Sequence, residues 1–379
     1  MDHALRTPKR LAESWNPRKL GVSGCQACSE FIMFPYINLI RFAAAFWISL
    51  PALWMVRPLI EQGVLAMTLF FMLSGFILSH RYGEFNQTSK WFDFYTARFK
   101  KIYPVYFFMG LVTAVSLASA PESFAFAQGS GFGYFVWLFV MVFIFILGVQ
   151  AWFPAFLDLW NFSGSWSLSV EAFFYLFFPL LRRALGAASS TVMTIAIYGT
   201  PVMLLFFCVA LIAGLRGETV SPTLFYAFPV FRIPEFILGI AGYCYFIEHK
   251  SQLGRLKACS GISLFLGVFF IYTVGDLPGS IDYGAFFALP FLLSFVLLSR
   301  PFAIAKPISA VFNYLGGISY CVYIVQFGTV PLMLIWLDGL SVGQKWFCFV
   351  AINSLFAVLV HHLVERPASR VFKGASPVR

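Results

Sequence analysis

The chain has 379 residues, a net charge of +10, and a composition that is 60% hydrophobic, 20% aromatic and 11% charged. So few charged side chains cannot cover the surface of a water-soluble globule, which excludes a soluble domain and predicts a polytopic membrane protein. The apolar runs are long enough to cross roughly 30 Å of hydrocarbon as helices, so the predicted fold class is all-α, a transmembrane helix bundle.

Residues 1–30 are basic and polar and contain no cleavable signal peptide, so we expect a cytoplasmic N-terminal segment. The predicted membrane domain covers residues 31–370, and residues 371–379 form a short cytoplasmic tail. The candidate spans, in chain order, are residues 34–56, 61–80, 103–152, 165–181, 191–214, 229–247, 260–275, 283–299, 312–336 and 346–364. The third candidate is long enough for one crossing plus a buried partial helix, or for more.

Basic residues are distributed unevenly among the predicted loops. Lys and Arg collect around residues 81–101, 182–183, 250–257 and 300–306, whereas the opposite loops APESFAFAQGSG and TVGDLPGSIDYG contain neither. These basic loops share one side if residues 103–152 make a net odd number of crossings, which predicts about ten spans with both termini cytoplasmic. The positive charge then faces anionic lipid of the bilayer, and no nucleic-acid partner is expected.

A few ionisable side chains lie inside predicted spans, where each costs about 3 kcal/mol unless it pairs or lines a polar cavity. Arg41 lies near the start of the first span, and snorkelling to the interface would explain it equally well. Arg232 and Glu235 have the spacing of an i, i+3 ion pair on one helix. Glu171 has no basic residue near it in sequence, so its partner is expected on another helix, and Arg41 is the obvious candidate.

The cysteines and histidines form no metal-binding pattern in the sequence. Cys25 and Cys28 have metal spacing but no second pair to complete four ligands, so no metal site is predicted. The cysteines in or beside apolar spans are expected to behave as small hydrophobic residues, and they are Cys208, Cys244, Cys321 and Cys348. None of the five histidines lies near the middle of a span, and His361 and His362 fall near a predicted cytoplasmic end.

Several motifs join these charges to a recognisable pattern. They are RFAAAFW from Arg41, FFxLSGF within residues 63–83, RFKKIYPVYF at 98–107, SWSLSVEAFFYLFFP around Glu171, FRIPEFILGI, LGGISYCVYIVQF at 315–327, and VERPASR near the C-terminus. Together they resemble the membrane-bound acyltransferase family 3, the inner-membrane O-acyltransferases that acylate surface sugars, antibiotics and related hydroxyl compounds. The resemblance runs from about residue 34 to residue 370, and FFxLSGF with WSLSVE, in that order and spacing, is a specific signal.

The resemblance implies ten helices in a bacterial-type inner membrane, an acyl-CoA donor such as acetyl-CoA on the cytoplasmic side, and a hydroxyl acceptor on a glycan or small molecule. No permanently bound cofactor is expected. Arg98, Lys100 and Lys101 fall on the RxxR motif of the family, with Lys101 in place of the second arginine, which keeps the charge but loses bidentate geometry. These cations suit the phosphates of the donor, although an ordinary positive-inside loop explains their charge equally well.

The resemblance also places Arg41 in the R-x10-H motif of the family, where it would donate to the thioester carbonyl or to an acceptor oxygen. Eleven positions after Arg41 this chain has Ala52 instead of the family histidine. Eleven residues are close to three helical turns, so the two positions share one helix face. Glu171 is the expected substitute, because a carboxylate in an apolar surround suits general-base work.

The residues expected to line the acceptor cavity are Trp166, Arg232, Glu235, Tyr320 and Gln326, the last standing where relatives commonly carry a histidine. For the aromatic residues, a position at the membrane interface is explanation enough without such a role. Two other functions remain open. The missing histidine favours a catalytically silent relative that binds donor or glycan, whereas Arg41, Glu171 and Arg98 favour an enzyme. A transporter would explain charges inside the membrane but not the FFxLSGF and WSLSVE motifs.

Overall fold

The computed structural model describes residues 35–48, 63–83, 89–119, 131–153, 162–186, 227–249, 305–337 and 339–371. Within these ranges the regular structure is entirely helical, as the composition predicts. The α-helices, in chain order, are α1 Pro35–Ile48, α2 Gly63–Tyr82, α3 Ser89–Ser119, α4 Phe132–Leu147, α5 Phe162–Gly186, α6 Pro229–His249, α7 Lys306–Trp336, α8 Val342–Val360 and α9 Arg366–Val371. A short 3-10 helix, Gln150–Trp152, follows α4, and a π-helical turn, His361–Glu365, joins α8 to α9.

Two helix ends show how the local sequence sets these boundaries. Ser341 caps α8, because its hydroxyl accepts a hydrogen bond from the backbone N–H of Gln344 at 3.4 Å, while the Gln344 side chain accepts from the Ser341 N–H at 3.0 Å. The S-x-x-Q spacing encodes this reciprocal capping box. Helix α4 ends at Gly148, whose φ of 67° lies in the left-handed region and whose N–H donates to the carbonyl oxygen of Phe145.

Helices α2 and α6 run in the same direction and pack closely. The hydroxyl of Thr68 donates to Glu235 at 2.9 Å, and two turns further along both helices the ring of Phe76 meets that of Tyr243 at 5.5 Å. Parallel packing is what the predicted topology requires of the second and sixth spans, since it directs both towards the cytoplasm. This helix pair brings the polar side chains of FRIPEFILGI against the helix that carries FFxLSGF.

Glycines allow the backbones of α2 and α6 to approach each other. A Cβ added at Gly239 would clash with the carbonyl oxygen of Met72, and one added at Gly75 would clash with the carbonyl oxygen of Phe236. Small residues at such crossings are typical of helix pairs in membranes, where close backbone contact replaces the hydrophobic effect.

We expect Gly239→Ala to lower the free energy of unfolding by about 1–3 kcal/mol, because the added methyl must displace the backbone of α2. Gly317→Ala is the matched control, since Gly317 also lies inside a helix but nothing lies within 4 Å of an added Cβ there. The control should be neutral or slightly stabilising. Thermal unfolding of both variants in one detergent measures the difference, and equal unfolding temperatures would contradict the close crossing.

Helices α3 and α7 also run in the same direction. The hydroxyl of Tyr320 donates to the carbonyl oxygen of Ile102 at 2.9 Å, and further along the pair Gly328 packs against Met109. The predicted topology makes both helices outward spans, in agreement with this parallel packing. The pair places the motif LGGISYCVYIVQF beside the basic start of RFKKIYPVYF.

The apolar stretch at residues 103–152 contains more than one helix. Helix α4 packs back along α3, with the hydroxyl of Tyr106 donating to the carbonyl oxygen of Phe145 at 2.7 Å. After α4, the side chain of Gln150 is fully buried and donates to the carbonyl oxygen of Ser165 in α5 at 2.8 Å. The stretch therefore combines the apolar part of α3 with a second helix and a buried 3-10 turn.

Two helices in the described part of the chain are long and apolar enough to cross a membrane, Lys306–Thr329 and Gly343–Arg370. Large apolar side chains are exposed along one stripe of α4, and the phenylalanines in it are Phe132, Phe135, Phe139 and Phe143, between 53% and 86% exposed. An apolar face of this kind is expected to have apolar surroundings, such as lipid. The predicted spans at 191–214, 260–275 and 283–299 and both termini lie outside the described residues, so the count of ten and the cytoplasmic termini stay predictions.

Candidate active site

Glu171 lies at the centre of a buried polar cluster between α2 and α5. Its side chain is 3% exposed and accepts hydrogen bonds from the hydroxyl of Ser74 at 3.1 Å and from the hydroxyl of Tyr175 at 2.9 Å. Ser74 belongs to the FFxLSGF motif and Glu171 ends the WSLSVE motif, so the two most specific motifs meet at this carboxylate. Two hydroxyl donors fix the orientation of the carboxylate without neutralising it.

Arg41 is half-buried in α1 and faces the same cluster. It interacts electrostatically with Glu171, as the sequence predicts for the partner of a buried carboxylate. The guanidinium carbon lies 5.3 Å from the centre of the Phe70 ring, a cation–π contact that holds the side chain inside the bundle. Its Nε is buried and forms no hydrogen bond within the described part of the chain, so this arginine keeps a donor for a ligand oxygen.

Arg98 and Lys101 lie three residues apart in α3 and therefore share one helix face. Arg98 donates to the hydroxyl of Tyr82 at 2.7 Å, with its guanidinium carbon 5.2 Å from the centre of that ring. Lys101 interacts electrostatically with Arg41 and Arg98. Lys100 is half-buried and lies on a different face of the helix, because it is two residues from Arg98 and one from Lys101.

Positive charge exceeds negative charge in this cluster. The cations that interact electrostatically with Lys101 are Arg41, Arg81 and Arg98. The carboxylates that interact with it are Glu171 and Glu365. Four basic side chains against two acidic ones, in surroundings of low dielectric, favour an anionic ligand. The structure thus brings together the predicted catalytic residues, Arg41 and Glu171, and two of the predicted donor-binding residues, Arg98 and Lys101.

Three of the five residues predicted to line the acceptor cavity are buried in the packing of the bundle. Trp166 is 3% exposed and meets the ring of Phe71 edge-on at 6.0 Å. Tyr320 is also 3% exposed, and its hydroxyl is engaged with the backbone of α3. Gln326 is 3% exposed, and its Nε2 is buried without a hydrogen-bond partner among the described residues. Trp166 and Tyr320 therefore contribute to the packing around the site, whereas the side-chain amide of Gln326 has an N–H that could donate to a ligand.

Arg232 and Glu235 form a separate buried cluster with Thr68. Arg232 and Glu235 make an ion pair of 3.1 Å, which agrees with the i, i+3 spacing in the sequence, and both are at most 1% exposed. Thr68 donates to Glu235 and accepts from Arg232 at 3.1 Å. Thr68 lies six residues before Ser74, about 9 Å along α2, so this cluster is one level away from Glu171.

Sequence reasoning missed several polar side chains of the site. Tyr175 and Ser74 are the hydrogen-bond donors to Glu171: Tyr175 lies on the same helix, and the pairing of α2 with α5 brings Ser74 there. Ser167 and Tyr323 form a buried hydroxyl pair between α5 and α7. The spacing of Glu171 and Tyr175, four residues apart on one helix, is a signal that would have indicated the second donor.

The residues of this site lie in a region of the chain that is similar to a known protein family. A family model described as an acyltransferase domain matches residues 32–362. The chain belongs to this acyltransferase family. The match contains Arg41, Glu171, Arg98 and Lys101, so these four charged side chains lie inside the acyltransferase domain. This result confirms the resemblance drawn from the sequence motifs.

One curated relative of this acyltransferase-family chain is the acyltransferase MdmB of Streptomyces mycarofaciens. The two are 32% identical over 122 residues, which are 32% of this chain and 29% of the relative. The chain thus matches less than a third of that protein's length. No solved structure matches the chain. Family and relative together support an acyltransferase, and they leave the donor and the acceptor to be inferred from the site.

Proposed function

We propose that this protein is a membrane O-acyltransferase that moves an acyl group, with acetyl expected, from acyl-CoA to a hydroxyl of a carbohydrate or similar acceptor. We place it in a bacterial-type inner membrane as a multi-pass protein with about ten spans. The observation that carries the proposal is the convergence of the half-buried cations Arg41, Arg98 and Lys101 on the buried carboxylate of Glu171 within an acyltransferase domain.

The cluster supplies the groups that acyl transfer from a thioester requires. The acceptor hydroxyl oxygen attacks the thioester carbon, its proton passes to Glu171, and the thiolate of CoA leaves as the tetrahedral intermediate collapses. Ser74 and Tyr175 orient the Glu171 carboxylate for this proton transfer. Arg41 has an unused buried Nε–H that suits the developing oxyanion of the intermediate.

Arg98 and Lys101 suit the phosphates of the CoA donor, because they share a face of α3 and turn towards the same cluster. Arg81 adds a third positive charge at the end of α2. The excess of positive charge near Lys101 would be balanced by these phosphates. Radiolabelled acetyl-CoA, incubated with membranes that carry the protein, tests the donor, and a glycan comparison between a deletion strain and its parent identifies the acceptor.

We expect Arg98→Gln and Lys101→Gln each to weaken acyl-CoA binding by about tenfold or more, because each removes a charge-assisted contact to phosphate. Lys100→Gln should have a smaller effect, since Lys100 lies on another face of α3. Binding of desulfo-CoA, which keeps the phosphates of the donor but cannot carry an acyl group, to the purified variants measures the difference. Equal losses in all three variants would mean that only the general positive charge matters, and no loss in any would place the donor elsewhere.

A catalytically silent relative is the second candidate, and Ala52 in place of the family histidine favours it. Such a protein would bind acyl-CoA with the affinity of an enzyme and transfer no label. Ala52 lies outside the described residues, so the geometry around it does not bear on the choice. Binding and transfer measured on one preparation separate the two functions.

A further inference from the structure

Three side chains with metal-binding atoms meet where α7 packs against the π-helical turn. The Sγ of Cys321 lies 3.2 Å from Oε2 of Glu365, and Nδ1 of His361 lies 2.6 Å from the same oxygen. The three ligand atoms all lie within 4.8 Å of one another. Cys321 is fully buried, and His361 and Glu365 are each 7% exposed.

Contacts at both ends of the α7–α8 pair hold these three residues together. Helices α7 and α8 are antiparallel: Thr329 donates to Asn353 at 3.2 Å at one end, and Tyr314 bonds to His362 at 3.2 Å at the other. The π-helical turn follows the last residue of α8 at this point, and such turns occur frequently at functional sites. Residue 361 and residue 365 are four apart, so both face Cys321 on the neighbouring helix.

A thiol, an imidazole and a carboxylate are the donor set that Zn²⁺ prefers, and sites with three protein ligands keep a fourth position open. In tetrahedral geometry such ligand atoms lie about 3.3–3.6 Å apart. The two short contacts to Glu365 would therefore open by less than about 1 Å, and the remaining distance between Sγ of Cys321 and Nδ1 of His361, which is at most 4.8 Å, would close by up to about 1.2 Å. A hydrogen-bonded cluster without metal is the simpler alternative, and the two differ in a measurable property, which is affinity for the cation.

We propose that Cys321, His361 and Glu365 bind one divalent cation of the Zn²⁺ type. A thiolate and a carboxylate together neutralise the charge of the cation, so no net charge is buried. This site differs from the sequence-based expectation of no metal site, in which Cys321 was interpreted as a small hydrophobic residue and His361 as a residue near the end of a span. The proposal does not depend on acyl transfer.

The proposed cation site also borders the side chains that we expect to bind the phosphates of the acyl-CoA donor. Glu365 is the carboxylate that interacts with Lys101 as well as with His361. A bound cation would engage Glu365 and leave more of the positive charge of Lys101 for the phosphates of a donor. The metal would in this way connect the packing of the last helices to the charged cluster.

Titration of the purified, chelator-treated protein with Co²⁺ and Zn²⁺ tests the proposal. We expect one equivalent of Co²⁺ to bind with the near-ultraviolet absorption of a thiolate–cobalt bond, and Zn²⁺ to displace it. Cys321→Ser should remove this absorption, and His361→Gln and Glu365→Gln should weaken Co²⁺ affinity by at least about tenfold. Cys321→Ser is nearly isosteric, so this variant tests the site without a change in packing.

The controls are the neighbouring residues of the same type outside the cluster. Cys348 is half-buried on α8, and His362 is exposed beside His361. Cys348→Ser and His362→Gln should leave the stoichiometry and the absorption unchanged. Absence of a stoichiometric cation, or binding that survives Cys321→Ser and His361→Gln but is lost in His362→Gln, would overturn the proposal.

Discussion

Glu171→Gln is expected to reduce acyl transfer by about 10² to 10⁴, the usual contribution of a positioned general base. The amide is almost the same size as the carboxyl and can still bond to Ser74 and Tyr175, so the fold should persist. What is lost is the group that takes the proton of the acceptor hydroxyl. The measurement is transfer of label from acetyl-CoA, with the amount of protein in the membrane determined alongside.

Asp93→Asn is the control for this change, because Asp93 is an exposed carboxylate at the start of α3. It should transfer acyl groups at the normal rate. If Glu171→Gln retains full turnover while acyl-CoA binding is normal, Glu171 is a structural partner of Arg41 and the base lies elsewhere. Reduced protein in the membrane for Glu171→Gln alone would instead show that the buried carboxylate supports folding.

Arg41→Lys belongs to the same prediction, since it keeps the charge that Glu171 faces but removes the guanidinium Nε. We expect a loss of about 10² to 10³ in rate, the effect of removing one oxyanion donor. Arg183→Lys, at an exposed position on α5, serves as the control. An Arg41→Lys variant with normal turnover would assign Arg41 a purely electrostatic role.

The pairing of Arg41 with Glu171 was predictable from the sequence because a lone charge inside a span has a high energetic cost. Each residue had no partner within reach on its own helix, and the structure brings the two into electrostatic interaction. The hydroxyls of Ser74 and Tyr175 were not predicted, because serine and tyrosine occur in spans without such a cost. The packing of α2 against α5 selects Ser74, and the spacing of four residues on α5 selects Tyr175.

The basic residues before the third span show where hydropathy alone fails to predict a helix. Hydropathy placed Arg98 and Lys101 in a loop, whereas α3 begins at Ser89, well before its apolar part. Aromatic side chains such as Phe94, which is fully buried, extend the helix into a mixed segment that a hydropathy window does not detect. Once the segment is helical, the spacing of three residues decides that Arg98 and Lys101 share a face and Lys100 does not.

The cluster of Cys321, His361 and Glu365 could not be predicted from spacing. The cysteine lies 44 residues before the glutamate, and metal motifs of that length have no recognisable pattern. His361 was set aside because of its position near the end of a span, and position alone says nothing about what faces it. The antiparallel packing of α7 and α8 supplies the missing information.

Ala52→His is expected to raise acyl transfer by about 10² to 10⁴ if the cavity is intact and only the family base is absent. Ala52 lies eleven positions after Arg41 and outside the described residues; in a continuous helix, eleven positions are close to three turns, or about 16 Å along one face. An imidazole there would stand where the family carries its histidine. Label transfer from acetyl-CoA by the variant and the natural protein, at equal amounts in the membrane, measures the gain.

Pro51 requires a second variant in this test. Proline within a helix removes a backbone hydrogen bond and bends the axis, which would turn position 52 away from the face of Arg41. Ala52→His should therefore be made with Pro51 retained and also with Pro51→Leu, and the double variant should show the larger gain. Good transfer by the natural protein without improvement in either variant would show that the base lies elsewhere and that the missing histidine is no defect. All three proteins could instead bind acyl-CoA but fail to transfer label. This outcome would establish the catalytically silent relative and contradict the enzyme proposal, because acyl transfer would not occur even with the donor bound and a histidine restored at position 52.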